Sequence, residues 1–261
     1  PTWSGFVYQG QIAVYLAVKK IYELDEMEKK EETNYYAIEM EKCEDIAVIY
    51  TKEDNKEYKS IHQVKNYEKN GIGEYKSPLI QLMLEKGFCK KNGCNEPDAY
   101  LHVSKEISIK SGETFEDKMQ EWKAEIIDFY KSLRDLKIKL EHDEYEDVDE
   151  IFTKIKNCIN KEPIKFNRAE YKDILNEVNK ACKEDEKNDL HNVKIKLNKL
   201  LEFLENKLCV PEIDNDVSIY SYDNNNRSKK FCTGMEIFNY IVDYVIKYKS
   251  RKGIFCEEQY K

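Results

Sequence analysis

An α/β fold interrupted by an all-helical insertion follows from three features of the chain. The first third alternates helical and strand-like patterns, the middle third carries helical periodicity only, and the last third returns to a strand followed by a helix. The boundaries fall at 1–112, 113–209 and 210–261. The first segment forms the core of the fold, the second an inserted helical subdomain, and the third is expected to rejoin the sheet of the first.

Ser4 to Glu26 opens the chain as a helix. Phe6, Ile12, Tyr15, Leu16, Val18, Ile21 and Tyr22 recur near helical spacing, and Ser4 can cap the first turn. YYAIEMEKCEDIAVIY reads as two short β-rich runs broken near Lys42. The polar turn TKEDNKE then leads to a third strand, YKSIHQVKN. Alternation puts Ile61, Gln63 and Lys65 on one face of that strand, and His62 and Val64 on the other. Ser77 to Phe88 is a helix with Pro78 in its first turn, and DAYLHVSKEI is a fourth strand.

The middle third gives four helices: FEDKMQEWKAEIIDFYKSLRDLKIKL, VDEIFTKIKNCI, FNRAEYKDILNEVNKAC and DLHNVKIKLNKLLEFLENKL. In the last of these Leu190, Val193, Leu197, Leu200 and Leu204 alternate steps of three and four. The seam is short for a free coiled coil, and an intramolecular helical subdomain is the expectation; a partner-facing helix is the alternative. DVSIYSYDN is a strand. GMEIFNYIVDYVIKYK is a helix with Ile237, Ile241, Tyr244 and Val245 on one face, and the basic loop NNNRSKK lies between them.

Composition excludes several classes. The chain has 261 residues, 36 % charged and 41 % apolar, with a formal net charge of -8. No run of about 18 apolar residues is present, so no membrane-spanning helix is expected. The N-terminus has no basic stretch leading into an apolar core, so the expected location is the cytoplasm. Nine Gly and five Pro are too few for the many tight turns of a sandwich or propeller. The eight cysteines are scattered, which suits reduced thiols. Only Cys89 and Cys94, in CKKNGC, are close, and no second pair completes a zinc knuckle. The acidic balance argues against a protein that coats nucleic acid, but it is uneven. The three segments carry net charges of -3, -5 and 0, so the helical middle holds most of it.

The segment from Tyr35 to Lys65 carries the chemistry. Glu39, Glu41, Glu44 and Asp45 lie at the junction of two strands, and Gln63-Val64-Lys65 follows on the third. Metal-dependent phosphodiester cleavage needs oxygen ligands for a hard cation, a polarised phosphate with an acidified water, and a fixed positive charge beside the attacking water. Asp45, the amide oxygen of Gln63 and the backbone carbonyl of Val64 can supply the oxygens. Lys65 projects from the same face as Gln63 and can supply the charge. Each piece has a blander reading: Gln-x-Lys is common on exposed strands, and a Glu-Asp pair usually marks a turn. What distinguishes this chain is their order, helix with Tyr8-Gln9, acid-rich strand junction, then Gln-x-Lys on the third strand. The four histidines form no triad, His62 alternating away from Gln63 and Lys65 to pack under the sheet. GIGEYKSP lacks the preceding strand and lysine spacing of a phosphate-binding loop.

This arrangement resembles the PD-(D/E)xK nuclease superfamily in its D…QxK variant. Ser4-Gly5-Phe6, Tyr8-Gln9, Ile38-Glu39, Glu44-Asp45-Ile46 and His62-Gln63-Val64-Lys65 resemble the CD-NTase-associated double-stranded DNA endonucleases, whose domain occurs in effector subunits of Lamassu and ABC-three-component anti-phage systems. The likeness covers residues 4–66, about a quarter of the chain. It implies a restriction-endonuclease-like mixed sheet flanked by helices, and cleavage of double-stranded DNA with Mg²⁺ or Mn²⁺. It also implies an SMC-like ABC ATPase and a further accessory subunit as partners, with self-assembly a further expectation. Carried over by residue, Asp45 is the metal-binding acid, Gln63 stands where Glu is usual, Lys65 is the lysine, Glu39 the additional acid and Gln9 the polar residue of the first helix. Asp45, Gln63, the Val64 carbonyl and Glu39 are the implied metal ligands. No Pro precedes Asp45, and Gln in place of Glu weakens the hold on Mg²⁺. A non-catalytic adaptor with the same fold, docking the ATPase through its helical region, is the alternative.

Overall fold

The computed structural model describes residues 3–91, 95–145, 147–166, 168–182, 190–213 and 217–221. The expected helix within 234–249, the NNNRSKK loop and Cys94 lie outside the described residues. The chain is mixed α/β and divides into two compact units. One comprises Pro1–Gly71, Pro97–Ser108 and Ser218–Lys261, the other Ile72–Glu96 and Ile109–Val217.

Among the described residues the first unit is a five-stranded mixed open sheet with one long helix. Helix α1 (Trp3–Glu26) is followed by β1 (Tyr36–Met40), β2 (Ile46–Lys52), β3 (Asn55–Lys65), β4 (Asp98–Val103) and β5 (Ser218–Ser221), in spatial order β1-β2-β3-β4-β5. The first three strands form an antiparallel meander; β4 and β5 are added parallel to β3. The β2–β3 connection is a two-residue turn. Lys52 pairs with Asn55, and Glu53 and Asp54 take φ of 51° and 63°, the left-handed pair that matches strand twist. Ile46 pairs with His62, Val48 with Ser60, and Ala47 with Ile61. Ser60, His62 and Val64 therefore share the face covered by α1, and Gln63 and Lys65 the opposite one, as period two predicts. On the covered face Tyr8, Ile12, Tyr15 and Leu16 pack against Ile46 and Val48, with Ile38 and Val64 at the border.

The second unit is helical: α2 (Lys76–Lys91), α3 (Phe115–Glu141), α4 (Val148–Asn160), α5 (Ala169–Ala181) and α6 (Leu190–Asn206). Thr114 and Asp117 start α3 with a reciprocal capping box at 3.0 Å in both directions, and the Asp147 carboxylate caps α4. Trp122, Ile126, Phe129 and Leu133 of α3 are buried, as are Ile151, Phe152 and Ile155 of α4 and Tyr171, Ile174 and Val178 of α5. The seam residues Val193, Leu197, Leu200 and Leu204 have no exposed surface, so they serve the core of this unit. Helix α2, expected with the sheet in 1–112, groups with these helices. Its Gly87 has a structural cause. A Cβ there would lie 2.6 Å from the Leu208 carbonyl oxygen, so the chain after α6 fits only against a bare helix backbone.

None of the described cysteines is disulfide-bonded, and burial pushes the Cys158 and Cys182 thiols up to about 11, which makes them poor nucleophiles. No helix among the described residues is long and apolar enough to cross a membrane.

Candidate functional site

The five-residue reversal between β1 and β2 brings the acids to one end of the sheet. Glu41 adopts φ 55°, and its N–H donates to the Asp45 carbonyl at 3.2 Å, closing the loop. Gln9, buried on α1, fixes that loop from beneath. Its Nε2 donates to the same Asp45 carbonyl at 2.9 Å and to Glu41 Oε1 at 2.5 Å. A loop that would otherwise swing is thus tied to the helix at two points.

With its backbone held, Asp45 aims its carboxylate at the end of β3. Oδ2 accepts from the Val64 backbone N–H at 2.8 Å and from Lys65 Nζ at 2.7 Å. Both side chains are roughly a fifth exposed, at 23 % and 21 %, so the pair faces solvent on one side. Gln63 lies beside it and is buried. Its Nε2 donates to Glu44 Oε2 at 2.9 Å, while its Oε1 is enclosed and accepts no hydrogen bond among the described residues. A buried amide oxygen without a donor costs about 1–3 kcal/mol, so this atom is placed at a cost to stability.

The structure therefore gathers Gln9, Asp45, Gln63, Val64 and Lys65, and adds Glu41 and Glu44. Those two were legible only as members of an acid-rich junction; nothing in the spacing told which would face Gln9 or Gln63. Glu39 has different company. It accepts from Lys56 at 2.7 Å and Tyr58 at 3.0 Å, with Lys42 at 3.4 Å. Burial pushes its carboxyl up, but the bonds from Lys56 and Tyr58 outweigh this and hold it below the usual range.

His62 sits on the other face, where Nδ1 lies 2.9 Å from His102 Nε2 and Nε2 lies 2.8 Å from Ser60 Oγ. Burial, and then the Lys19 charge, push His62 down to about 3; burial, His62 and Lys19 push His102 well below the usual range. Below pH 6.5 the unfolded chain takes up protons that the folded chain refuses. The histidines' contribution is thus fully present above that pH and is lost as pH falls toward 3. Urea unfolding midpoints are expected to decline across this window, and to decline less in His102→Gln; equal slopes in the two proteins would count against the assignment.

No family model, curated protein or solved structure matches the chain.

Proposed function

We propose that this chain is a Mg²⁺-dependent endonuclease acting on double-stranded DNA, the effector subunit of a bacterial anti-phage complex that includes an SMC-like ABC ATPase and an accessory subunit. The observation that carries this reading is the juxtaposition, at one end of the sheet, of the Asp45 carboxylate, the Lys65 ammonium and the enclosed Gln63 amide oxygen, which has no hydrogen-bond donor among the described residues. The elements around them, a helix, an antiparallel meander, a second helix and a fourth strand in a mixed sheet, are compatible with the mixed sheet flanked by helices that the resemblance to PD-(D/E)xK nucleases implies.

The donor set suits a hard divalent cation. Asp45 Oδ1 takes no hydrogen bond among the described residues, Gln63 Oε1 lacks a donor, and all the candidate donor atoms are oxygen. Asp45 and Gln63, with the Val64 carbonyl, would hold Mg²⁺ or Mn²⁺. When bound, such an ion polarises a phosphoryl oxygen and lowers the pKa of a water. The chain's own residues do the rest. Gln9 and Glu41 hold the Asp45 backbone, Glu44 orients the Gln63 amide so that its oxygen is left for the metal, and the Val64 N–H fixes the Asp45 carboxylate. Lys65 presents a positive charge where negative charge develops on the phosphate. Glu39, fully engaged with Lys56 and Tyr58, serves the hairpin rather than the metal in this reading.

The net charge of -8 bears on regulation. A chain this acidic gains little from counterion release, so a basic partner or self-assembly would present DNA to Asp45 and Lys65. The native complex, incubated with supercoiled and linear duplex DNA, is expected to cleave with Mg²⁺ or Mn²⁺ and to stop with chelator. Cleavage that resists chelator would overturn the reading. A complex that binds DNA but never cuts it would favour the non-catalytic adaptor, a role to which the reduced charge of a Gln-containing site is suited.

A further inference from the structure

The α1-covered face of the sheet holds a second polar feature, distinct from the Asp45–Lys65 end. A cavity of about 240 Å³ opens between α1 and strands β3 and β4. Its inner wall is the chain Ser60–His62–His102, linked at 2.8 and 2.9 Å, with the Tyr100 ring stacked on His62 at 5.1 Å. Both imidazoles are almost completely buried. Lys19 and Lys20 of α1 and Lys59 of β3 line the same cavity. Two acids face them: Glu23, which takes Lys20 at 2.8 Å and Lys19 at 3.7 Å, and Asp98 at the start of β4. The lining therefore carries three ammonium groups against two carboxylates, and Lys59 is paired with Glu57 beside it, so Lys19 and Lys20, which share Glu23, are the cations left to meet an anion.

We propose that this cavity binds a small organic phosphate. Its lysine ammoniums, which act as mobile point charges, suit a phosphoryl group, while the Ser60 hydroxyl and both His62 nitrogens are engaged in the Ser60–His62–His102 chain and would sense a ligand through its field. The cavity, at about 240 Å³, is roomier than a bare ion needs, which favours a phosphate that carries an organic part. The remainder is walled by Leu16, Val48 and the ring of Tyr100, which suit a carbon skeleton or a flat ring. An anion there would also reverse the field on the histidines. Lys19 now disfavours their charged forms, and a bound phosphate would favour them. Ser60 and His62 belong to the strand that carries Gln63 and Lys65 on its other face, so occupancy acts on β3. Its consequence for cleavage rests on the proposed function, but binding itself does not.

The four histidines make the test direct. His142 and His191 are exposed and serve as internal controls. Imidazole NMR signals of the full chain would be followed against inorganic phosphate, ribose 5-phosphate and adenosine 5′-monophosphate. Saturable shifts of His62 and His102, with an upward move of the His62 titration and no change at the controls, are expected with at least one organic phosphate. Lys19→Gln, a change at a partly exposed position, is expected to weaken this binding about tenfold, the value of one charge-assisted contact. Unmoved signals, equal shifts at the control histidines, inorganic phosphate binding as tightly as the organic phosphates, or undiminished binding by Lys19→Gln would each overturn the proposal.

Discussion

Lys65→Ala in the native complex is expected to lower the rate of duplex DNA cleavage by about 10²–10³-fold, the usual effect of removing one preorganised charge that faces developing negative charge. The loss should fall on turnover rather than on folding. The Lys65–Asp45 pair is partly exposed, and solvent screening limits such pairs to under about 1 kcal/mol. The thermal midpoint should therefore move little. Asp45 keeps its bond from the Val64 N–H at 2.8 Å, so the carboxylate stays in place when the lysine is gone. Lys65→Arg should recover only part of the rate, because a planar guanidinium fork occupies the site of a compact ammonium. Cleavage by Lys65→Ala at the wild-type rate would remove Lys65 from the chemistry.

Arg168→Ala is expected to cost the helical unit about 2–3 kcal/mol, below the range for breaking a fully buried ion pair because the arginine is about a third exposed. The Glu85 carboxylate has no exposed surface. Arg168 donates to it through Nε at 3.2 Å and through a closer Nη2 contact, while its guanidinium lies 4.1 Å from the Phe88 ring centroid. Truncation thus removes the Arg168 partner from a charge in the interior and empties the space over the ring. The double variant Glu85→Gln/Arg168→Met should be more stable than Arg168→Ala, since neither change leaves a charge behind. Urea unfolding of the helical unit measures both. A midpoint for Arg168→Ala equal to wild type would show that Glu85 draws its compensation elsewhere.

The order of elements was legible because each carries its own period. The 3.6-residue pattern marks α1 and α3 to α6, and the alternation through Ile61, Gln63 and Lys65 fixes which way β3 faces. What periodicity cannot supply is company. In α2 the run from Pro78 to Lys86 is buried throughout, Glu85 and Lys86 included. A helix buried on every side has no single face to announce what covers it, and its grouping with the helical unit could not be read in advance. The acids at the β1–β2 reversal show the same limit at shorter range. Glu39 is the last but one residue of β1 and follows the strand toward Lys56 and Tyr58. Glu41 and Glu44 lie in the loop, where a left-handed residue breaks the alternation and sends one acid to Gln9 and the other to Gln63. Likewise, period two turned His62 away from Gln63. Its pairing with His102 depends on the parallel register of β3 and β4, which no local pattern encodes.

The central claim is that Asp45 and Gln63 form a divalent-cation site with Lys65 poised over it. Mn²⁺ binding to the isolated chain, followed by loss of the free-ion EPR signal, tests this without requiring partners or DNA. Wild type should bind one ion per chain. Asp45→Ala should lose that binding, and Lys65→Ala should bind at least as tightly, because Asp45 Oδ2 is released from the ammonium. A wild-type chain that takes up no Mn²⁺, or an Asp45→Ala chain that takes it up equally well, would contradict the account.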